Sequence, residues 1–368
     1  MTRTKQACFR LITLTPLLIL VYLVIRLSVD VHRINGIDEA TTLSRLETYL
    51  KEKQGTTVAL PEALQKPTDS NFVVFVFGES SVVLSDGPTF SEYLGRDLAA
   101  RGIPADVRNF GVSGFDSYSI RLRLKQALAG AGAKPALAVF YMGHNEFNNA
   151  YDSILKKDYP DFEYLLKPFY FFAPKKDPRI LAPMEYYWYA RLRKPALIDV
   201  LQRVNLVRIG DSLHDAYDEL ILDRFRKHVE DMLSHLADAR IPALIVTPIG
   251  NYSAKPFGNK VKVNDNYERG IDEKDYEKSL SYLIAAKDHE LLTYDIRAKS
   301  RLNDYLLSLE SPKVLVIDLE RECRHDKFRF DDSNFLDYFH LKASAHRMIA
   351  DKIVARISKT DLLPRPKQ

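Results

Sequence analysis

Short apolar runs recur along this chain and alternate with segments that have helical spacing. The first run, residues 72–77, contains only β-branched or aromatic residues and stops at Gly78. A run this short and apolar is typical of a strand buried on both faces, as in the middle of a parallel sheet. Similar runs follow at 136–142, 243–246 and 314–319, and a short mixed stretch at 105–110 predicts a further strand.

Amphipathic segments separate these runs and predict helices. They lie at 90–101, 118–129, 217–239, 273–307 (one or two helices) and 341–357. Strands separated by helix-length segments imply right-handed crossovers and a parallel sheet with helices on both faces. The pattern therefore predicts an α/β domain of three layers (α/β/α), with a flavodoxin-like sheet of five parallel strands.

The N-terminal part of the chain has a different pattern. Residues 11–29 are almost entirely apolar, and a helix of about 20 apolar residues can span a bilayer core. Basic residues precede the run and no small-residue cleavage site follows it, which favours an uncleaved signal anchor over a removed signal peptide. A buried helix is disfavoured because the sequence has no other long apolar stretch for it to pack beside. We expect residues 1–33 to be a cytoplasmic tail and a single type II transmembrane helix. The lipid bilayer is then a partner, and the rest of the chain is extracytoplasmic (periplasmic if the source is bacterial).

The remaining sequence divides into three parts. Residues 34–70 are polar and predict a linker or stalk, residues 71–360 predict the α/β domain, and residues 361–368 a tail. Inside the domain the alternation breaks at about 147–214, a segment rich in aromatic and lysine residues. Its length indicates a functional insertion after the third strand. Three roles fit it: a cap with its own core, a wall of a substrate pocket, or a surface that touches a membrane.

Composition narrows the class of protein. The 368 residues are 46% hydrophobic and 28% charged, which is ordinary for a globular protein. The net charge of +4 is small and no dense basic block occurs, so we expect no nucleic-acid partner. No set of His, Cys and Asp residues has metal-site spacing and no phosphate-binding loop follows the first strand, so we expect no metal and no cofactor.

Candidate catalytic residues follow the ends of four predicted strands. Ser80 follows the first strand, Gly114 the second and Asn145 the third, while Asp337 and His340 precede the last helix. The carboxyl ends of parallel strands meet at one edge of a sheet, where such folds bind ligands. A serine, a histidine, an acid and hydrogen-bond donors are the groups that acyl transfer needs. On its own, however, Ser80 fits a helix N-cap equally well.

Four blocks of the sequence resemble those of the SGNH/GDSL hydrolase family. Gly-Glu-Ser-Ser at 78–81 stands where the family has Gly-Asp-Ser-Leu, and residues 109–114 resemble its glycine block. Gly-His-Asn-Glu at 143–146 resembles its Gly-x-Asn-Asp block, and Asp-x-x-His at 337–340 matches its final block. The resemblance covers about residues 71–146 and 313–357.

The resemblance implies a metal-free serine hydrolase that acts on carboxylic esters. It implies that Ser80, Asp337 and His340 are catalytic. It also implies an oxyanion hole made by the N–H groups of Ser80 and Gly114 and by the side-chain amide of Asn145.

The supporting positions of the blocks are Gly78, Glu79, Gly143 and Glu146. Both glutamates stand where the family has aspartate, so the resemblance does not determine how these longer side chains are arranged around the catalytic residues. Ser81 replaces a typical leucine and is an alternative nucleophile if the turn is shifted by one residue.

One tetrapeptide elsewhere imitates the serine block. Gly-Asp-Ser-Leu occurs at 210–213, but no glycine or asparagine block follows it in the right order. We interpret Ser212 as the boundary of a helix. His144 is expected to pack or to line the pocket, and His346 to pack or to face solvent.

Several functions fit this set of residues. The first is a serine hydrolase that acts on an acyl ester of an extracytoplasmic glycan or lipid. The second is an O-acyltransferase with the same triad, and the third is a glycan- or lipid-binding module without catalysis.

Overall fold

The computed structural model describes residues 3–35, 59–150, 212–256, 260–290 and 297–364, together with residues 44, 201, 204 and 206. Most of the aromatic segment at 147–214 lies outside these residues, so its role stays a prediction.

Five parallel strands form one sheet. They are β1 (Phe72–Gly78), β2 (Ala105–Asn109), β3 (Leu137–Tyr141), β4 (Ala243–Val246) and β5 (Val314–Ile317). Their order is β2-β1-β3-β4-β5, and every neighbouring pair is parallel. This is the flavodoxin-like order, in which the chain reverses its direction of travel across the sheet between β1 and β3. The predicted fold class is confirmed, and the carboxyl ends of β1 and β3 form the crevice where such sheets bind ligands.

The sheet is the middle layer of three. Every residue of β1 is buried, and successive side chains of a strand point to opposite faces. Phe75 therefore belongs to one apolar core and Val74 to the other. The first core includes residues of helices Ser117–Gly130 and Ser212–Asp238. The second includes residues of helices Phe90–Ala100, Tyr276–Asp288 and Ala343–Ile357.

The predicted stretch of one or two helices at 273–307 contains two, Tyr276–Asp288 and Ser300–Leu307. One boundary differs from the sequence-based prediction. The predicted fifth strand ends earlier, because the Asp318 side chain accepts a hydrogen bond from Arg321 N and caps the short helix Leu319–His325. Further helical segments are Arg3–Asn35, Glu62–Gln65, the π-helical turn Lys260–Asp265 and Asn266–Asp272.

The segment before the domain contacts it. Arg108 donates hydrogen bonds to the carbonyl oxygens of Leu64 (3.0 Å) and Lys66 (2.8 Å), and Arg123 donates to that of Ala59 (3.2 Å). Part of the predicted linker is therefore packed against the α/β domain. Farther upstream, helix Arg3–Asn35 covers the predicted anchor. No helix in the described ranges is long and apolar enough to cross a membrane.

Candidate active site

Ser80, His340 and Asp337 form a continuous chain of hydrogen bonds. Ser80 Oγ lies 2.7 Å from His340 Nε2, and His340 Nδ1 lies 2.6 Å from Asp337 Oδ2. All three residues are buried. Because the carboxylate accepts the proton of Nδ1, Nε2 of a neutral imidazole is left as the acceptor for the serine hydroxyl. The arrangement can therefore remove a proton from Ser80.

The loop that carries the acid and the base is held by backbone hydrogen bonds. Asp337 Oδ1 accepts the N–H groups of Phe339 (2.9 Å) and His340 (2.8 Å). The carbonyl of Tyr338 accepts the N–H of Asn251, which follows β4. One oxygen of Asp337 thus fixes the loop while the other orients the imidazole.

A sharp turn presents Ser80 at the end of β1. A Cβ atom at Gly78 would lie 2.4 Å from the carbonyl oxygen of Tyr141 and 2.5 Å from Cγ1 of Val82, so only glycine fits there. Ser80 begins a 3₁₀ turn and its carbonyl accepts the N–H of Leu84 at 2.8 Å. Its own N–H donates to no acceptor within the described ranges.

Hydrogen bonds join the loop after β2, which carries Gly114, to the helix after β3, which carries Asn145. Asn145 Nδ2 donates to the Phe115 carbonyl at 2.9 Å, which uses one of its two hydrogens. Asn149 Nδ2, one helical turn later, donates to the Gly114 carbonyl at 3.0 Å. The second amide hydrogen of Asn145 and the N–H of Gly114 have no acceptor in the described part of the chain. Sequence reasoning missed Asn149, although its spacing of four from Asn145 places both on one helix face.

Glu79 joins the serine turn to the asparagine block. Its Oε1 accepts the N–H groups of Gly143 (2.7 Å) and His144 (2.8 Å), and its Oε2 accepts that of Asn145 (2.7 Å). Gly143 has φ of +137°, a conformation that side chains rarely adopt. Burial raises the pKa of Glu79 to about 7, while the three N–H donors and the charge of His340 act in the opposite direction. The extra methylene of this glutamate is thus used to reach three consecutive N–H groups.

Glu146 has a different task from its neighbour Asn145. Its carboxylate accepts the N–H of Ser117, and its Oε2 accepts the Ser117 hydroxyl at 2.9 Å. The same hydroxyl lies 2.8 Å from Nδ1 of His228. Glu146 therefore holds the start of helix Ser117–Gly130, directly after the Gly114 loop.

The alternative nucleophile Ser81 lies outside this network. Ser81 is fully buried and its hydroxyl has no hydrogen-bond partner in the described ranges. Ser212 is the first described residue of the long helix Ser212–Asp238, and its interpretation as a helix boundary stays a prediction.

His144 and His346, for each of which the sequence allows two roles, are both buried. His144 Nδ1 accepts the N–H of Ala298 at 3.0 Å, and its ring stacks on Phe339. His346 accepts the N–H of Phe90 at Nδ1 and donates from Nε2 to the Leu84 carbonyl, each at 3.2 Å. Burial lowers the pKa of His144 to about 3 and that of His346 to about 4. Both rings are neutral near pH 7. Of the two alternatives for His346, packing is confirmed and a solvent-facing ring is wrong, because the residue is fully buried.

No family model matches the sequence, and no curated protein matches it either. No cluster of three metal-ligating side chains occurs in the part of the chain that the structure describes.

Solved structures resemble the fold at low sequence identity. A lipase/acylhydrolase from Enterococcus faecalis is 15% identical, with a TM-score of 0.37, and the match covers 81% of this chain and 99% of that one. An acetyl xylan esterase, AlAXEase, is 14% identical with a TM-score of 0.37, covering 77% and 98%. A protein assigned to the lipolytic G-D-S-L family, from Desulfitobacterium hafniense, is 9% identical with a TM-score of 0.36, covering 78% and 99%. Likenesses this distant carry no conclusion about activity, so the chemistry rests on the side chains described above.

Proposed function

We propose that this protein is a serine hydrolase that cleaves an acyl ester through a covalent acyl-enzyme. The observation that carries the proposal is the unbroken hydrogen-bond chain from Ser80 through His340 to Asp337. A nucleophile, a base and an acid that orients the base are thereby in contact. The resemblance of the four sequence blocks to SGNH/GDSL hydrolases gives independent support.

Acylation follows from this geometry. Ser80 Oγ attacks the ester carbonyl carbon while His340 Nε2 takes the hydroxyl proton, and Asp337 stabilises the imidazolium that forms. The negative charge on the former carbonyl oxygen is met by the N–H groups of Ser80 and Gly114 and by the Asn145 amide. When the tetrahedral intermediate collapses, the ester C–O bond breaks and the alcohol leaves with the proton from Nε2.

The second half of the reaction returns the enzyme to its starting state. A water molecule gives a proton to His340 Nε2 and attacks the acyl carbon, and the bond to Ser80 Oγ then breaks as the proton returns to that oxygen. A sugar hydroxyl in place of water would give acyl transfer by the same steps. Hydrolysis and transfer therefore differ only in the acceptor.

The test is labelling of the purified protein by a fluorophosphonate, with the modified residue identified by mass spectrometry. We expect modification at Ser80 and, in parallel, hydrolysis of a short-chain p-nitrophenyl ester. A panel of acetylated glycans and lipids, with and without a sugar acceptor, then separates hydrolysis from transfer. Absence of both labelling and turnover would contradict the proposal and favour the binding module.

We propose separately that the catalytic domain lies outside the cytoplasm, where glycan and lipid esters are the available substrates. The support is the apolar sequence at 11–29 and the exposure of the side chains described within it. Within this segment the large apolar residues that are about half exposed or more are Leu17, Leu18, Ile19, Leu20, Val21, Tyr22, Val24, Ile25 and Val29.

Reporter fusions at the C-terminus test this location. A reporter that is active only outside the cytoplasm should be active, and one that is active only inside should be silent. Activity of the inside reporter alone would refute an extracytoplasmic domain.

A further inference from the structure

Glu79 lies at the centre of the site without touching the reacting atoms. It directly precedes Ser80, is fully buried, and accepts hydrogen bonds from three consecutive backbone N–H groups, the last of which belongs to Asn145. Residues 144–150 are helical, so the carboxylate binds the first N–H groups of the helix that carries Asn145. No hydrogen bond joins Glu79 to His340, but Ser80, the next residue after Glu79, has its Oγ 2.7 Å from His340 Nε2. The carboxylate and the imidazole are therefore close neighbours, and a charged His340 acts to lower the pKa of Glu79.

We propose that Glu79 is a positioning residue whose negative charge also stabilises the imidazolium of His340 through space. This inference rests on the proposed function. Glu79 ties the turn of Ser80 to the helix of Asn145, and so fixes the distance between the nucleophile and an oxyanion donor. Its charge then adds to that of Asp337 when His340 takes the serine proton.

Three N–H donors explain why a carboxylate is tolerated in this position. A buried carboxylate is costly unless its lone pairs are satisfied, and hydrogen bonds from backbone N–H groups favour the ionised form. A glutamine could offer only one oxygen to three donors, and its NH₂ group would face a backbone N–H. The three N–H groups therefore require a side chain with two acceptor oxygens. An ionised carboxylate meets this requirement and also places a negative charge in the site.

Two titratable neighbours of Glu79, Tyr141 and His144, stay uncharged near neutral pH. Tyr141 on β3 is coupled to Glu79, but burial raises the pKa of its hydroxyl, which exchanges hydrogen bonds with the backbone of Ile249. His144, whose N–H Glu79 binds, stays neutral because burial lowers its pKa. With the pKa of Glu79 at about 7, its charge is lost as the pH falls below neutral, and His340 is the group that this loss affects.

The experiment compares Glu79→Gln with a matched variant, Glu92→Gln. Glu92 also accepts backbone N–H at a helix start, since it forms the capping box of helix Phe90–Ala100 with Thr89. We measure kcat and KM for a p-nitrophenyl ester from pH 5.5 to pH 8.5. At pH 8 Glu79→Gln should lower kcat about 10²- to 10³-fold, the typical cost of a misplaced oxyanion donor, with KM nearly unchanged.

The decisive quantity is the ratio of parent to variant activity at each pH, because a loss of positioning that does not depend on charge leaves this ratio constant. For Glu79→Gln the ratio should shrink as the pH falls through about 7, since the parent then loses the charge that the variant lacks. For Glu92→Gln the ratio should stay near one at every pH. A ratio for Glu79→Gln that is independent of pH would reduce Glu79 to a structural cap and overturn its electrostatic role.

A second variant covers the case in which Glu79→Gln does not fold. Glu79→Asp keeps the negative charge on a side chain that is one methylene shorter. At pH 8 it should retain kcat within about tenfold of the parent, because the carboxylate then holds the helix of Asn145 less tightly but still holds it. A folded Glu79→Asp protein that loses 10³-fold or more would overturn the inference. A parent protein that neither hydrolyses the ester nor is labelled at Ser80 would overturn the proposed function and this inference together. An active parent whose activity ratio to Glu79→Gln is independent of pH would overturn only the electrostatic role of Glu79.

Discussion

Replacing Ser80 by alanine should lower ester hydrolysis by about 10⁶-fold, the scale seen when a triad nucleophile is removed. The Ser80 hydroxyl is the one that lies 2.7 Å from His340 Nε2, so the variant has no oxygen to form the acyl-enzyme. Its backbone N–H is kept, and with it the fold of the turn. The measurement is kcat for a p-nitrophenyl ester, with circular dichroism and thermal unfolding to confirm folding.

Ser81→Ala is the matched control for that experiment. Ser81 is the next residue and is also buried, but its hydroxyl has no partner in the described part of the chain. Removing an unsatisfied buried hydroxyl should leave activity unchanged and should keep or raise the free energy of unfolding, by up to about 1 kcal/mol. Ser212→Ala should likewise remain active. An inactive Ser81→Ala beside an active Ser80→Ala would move the nucleophile by one residue.

The parts of the site that follow strand ends could be predicted from the sequence. Each predicted strand begins and ends within about two residues of the observed one. For most strands the reason is that an apolar run must be buried. Ser80 and Asn145 follow the carboxyl ends of parallel strands, which share one edge of the sheet, and His340 lies in the loop before the final helix. Their convergence is therefore a consequence of topology.

The parts that depend on side-chain packing could not be predicted in this way. The sequence marked Glu79 only as a departure from the family pattern, whereas the structure gives it three N–H donors from residues far along the chain. His346 is similar, because its partners Phe90 and Leu84 precede it by more than 250 residues. Neither contact has a local spacing that could reveal it. Both appear only when β1, β3 and the final helix are packed together.

Asp337→Asn should lower kcat by about 10⁴-fold while leaving the fold intact, because it changes the tautomer of His340. In the parent, Asp337 Oδ1 accepts two backbone N–H groups and Oδ2 accepts His340 Nδ1–H. The asparagine oxygen must take the place of Oδ1, since an NH₂ group there would face the N–H groups of Phe339 and His340. The amide NH₂ then donates to Nδ1, the ring proton moves to Nε2, and Nε2 no longer accepts the Ser80 proton.

The matched control is Asp351→Asn, on the exposed face of the final helix. The Asp351 side chain is 54% exposed and pairs with Arg347, so its loss should change neither kcat nor folding appreciably. If Asp337→Asn kept more than a tenth of the parent activity, another carboxylate would have to orient the imidazole. Glu79 is a buried acid whose charge interacts with that of His340. Both of its oxygens, however, accept hydrogen bonds from the backbone N–H groups of 143–145. Glu79 can therefore add negative charge to the site, but it cannot fix which ring nitrogen of His340 carries the proton. The two carboxylates have separate tasks, and we expect Glu79 not to compensate for the loss of Asp337.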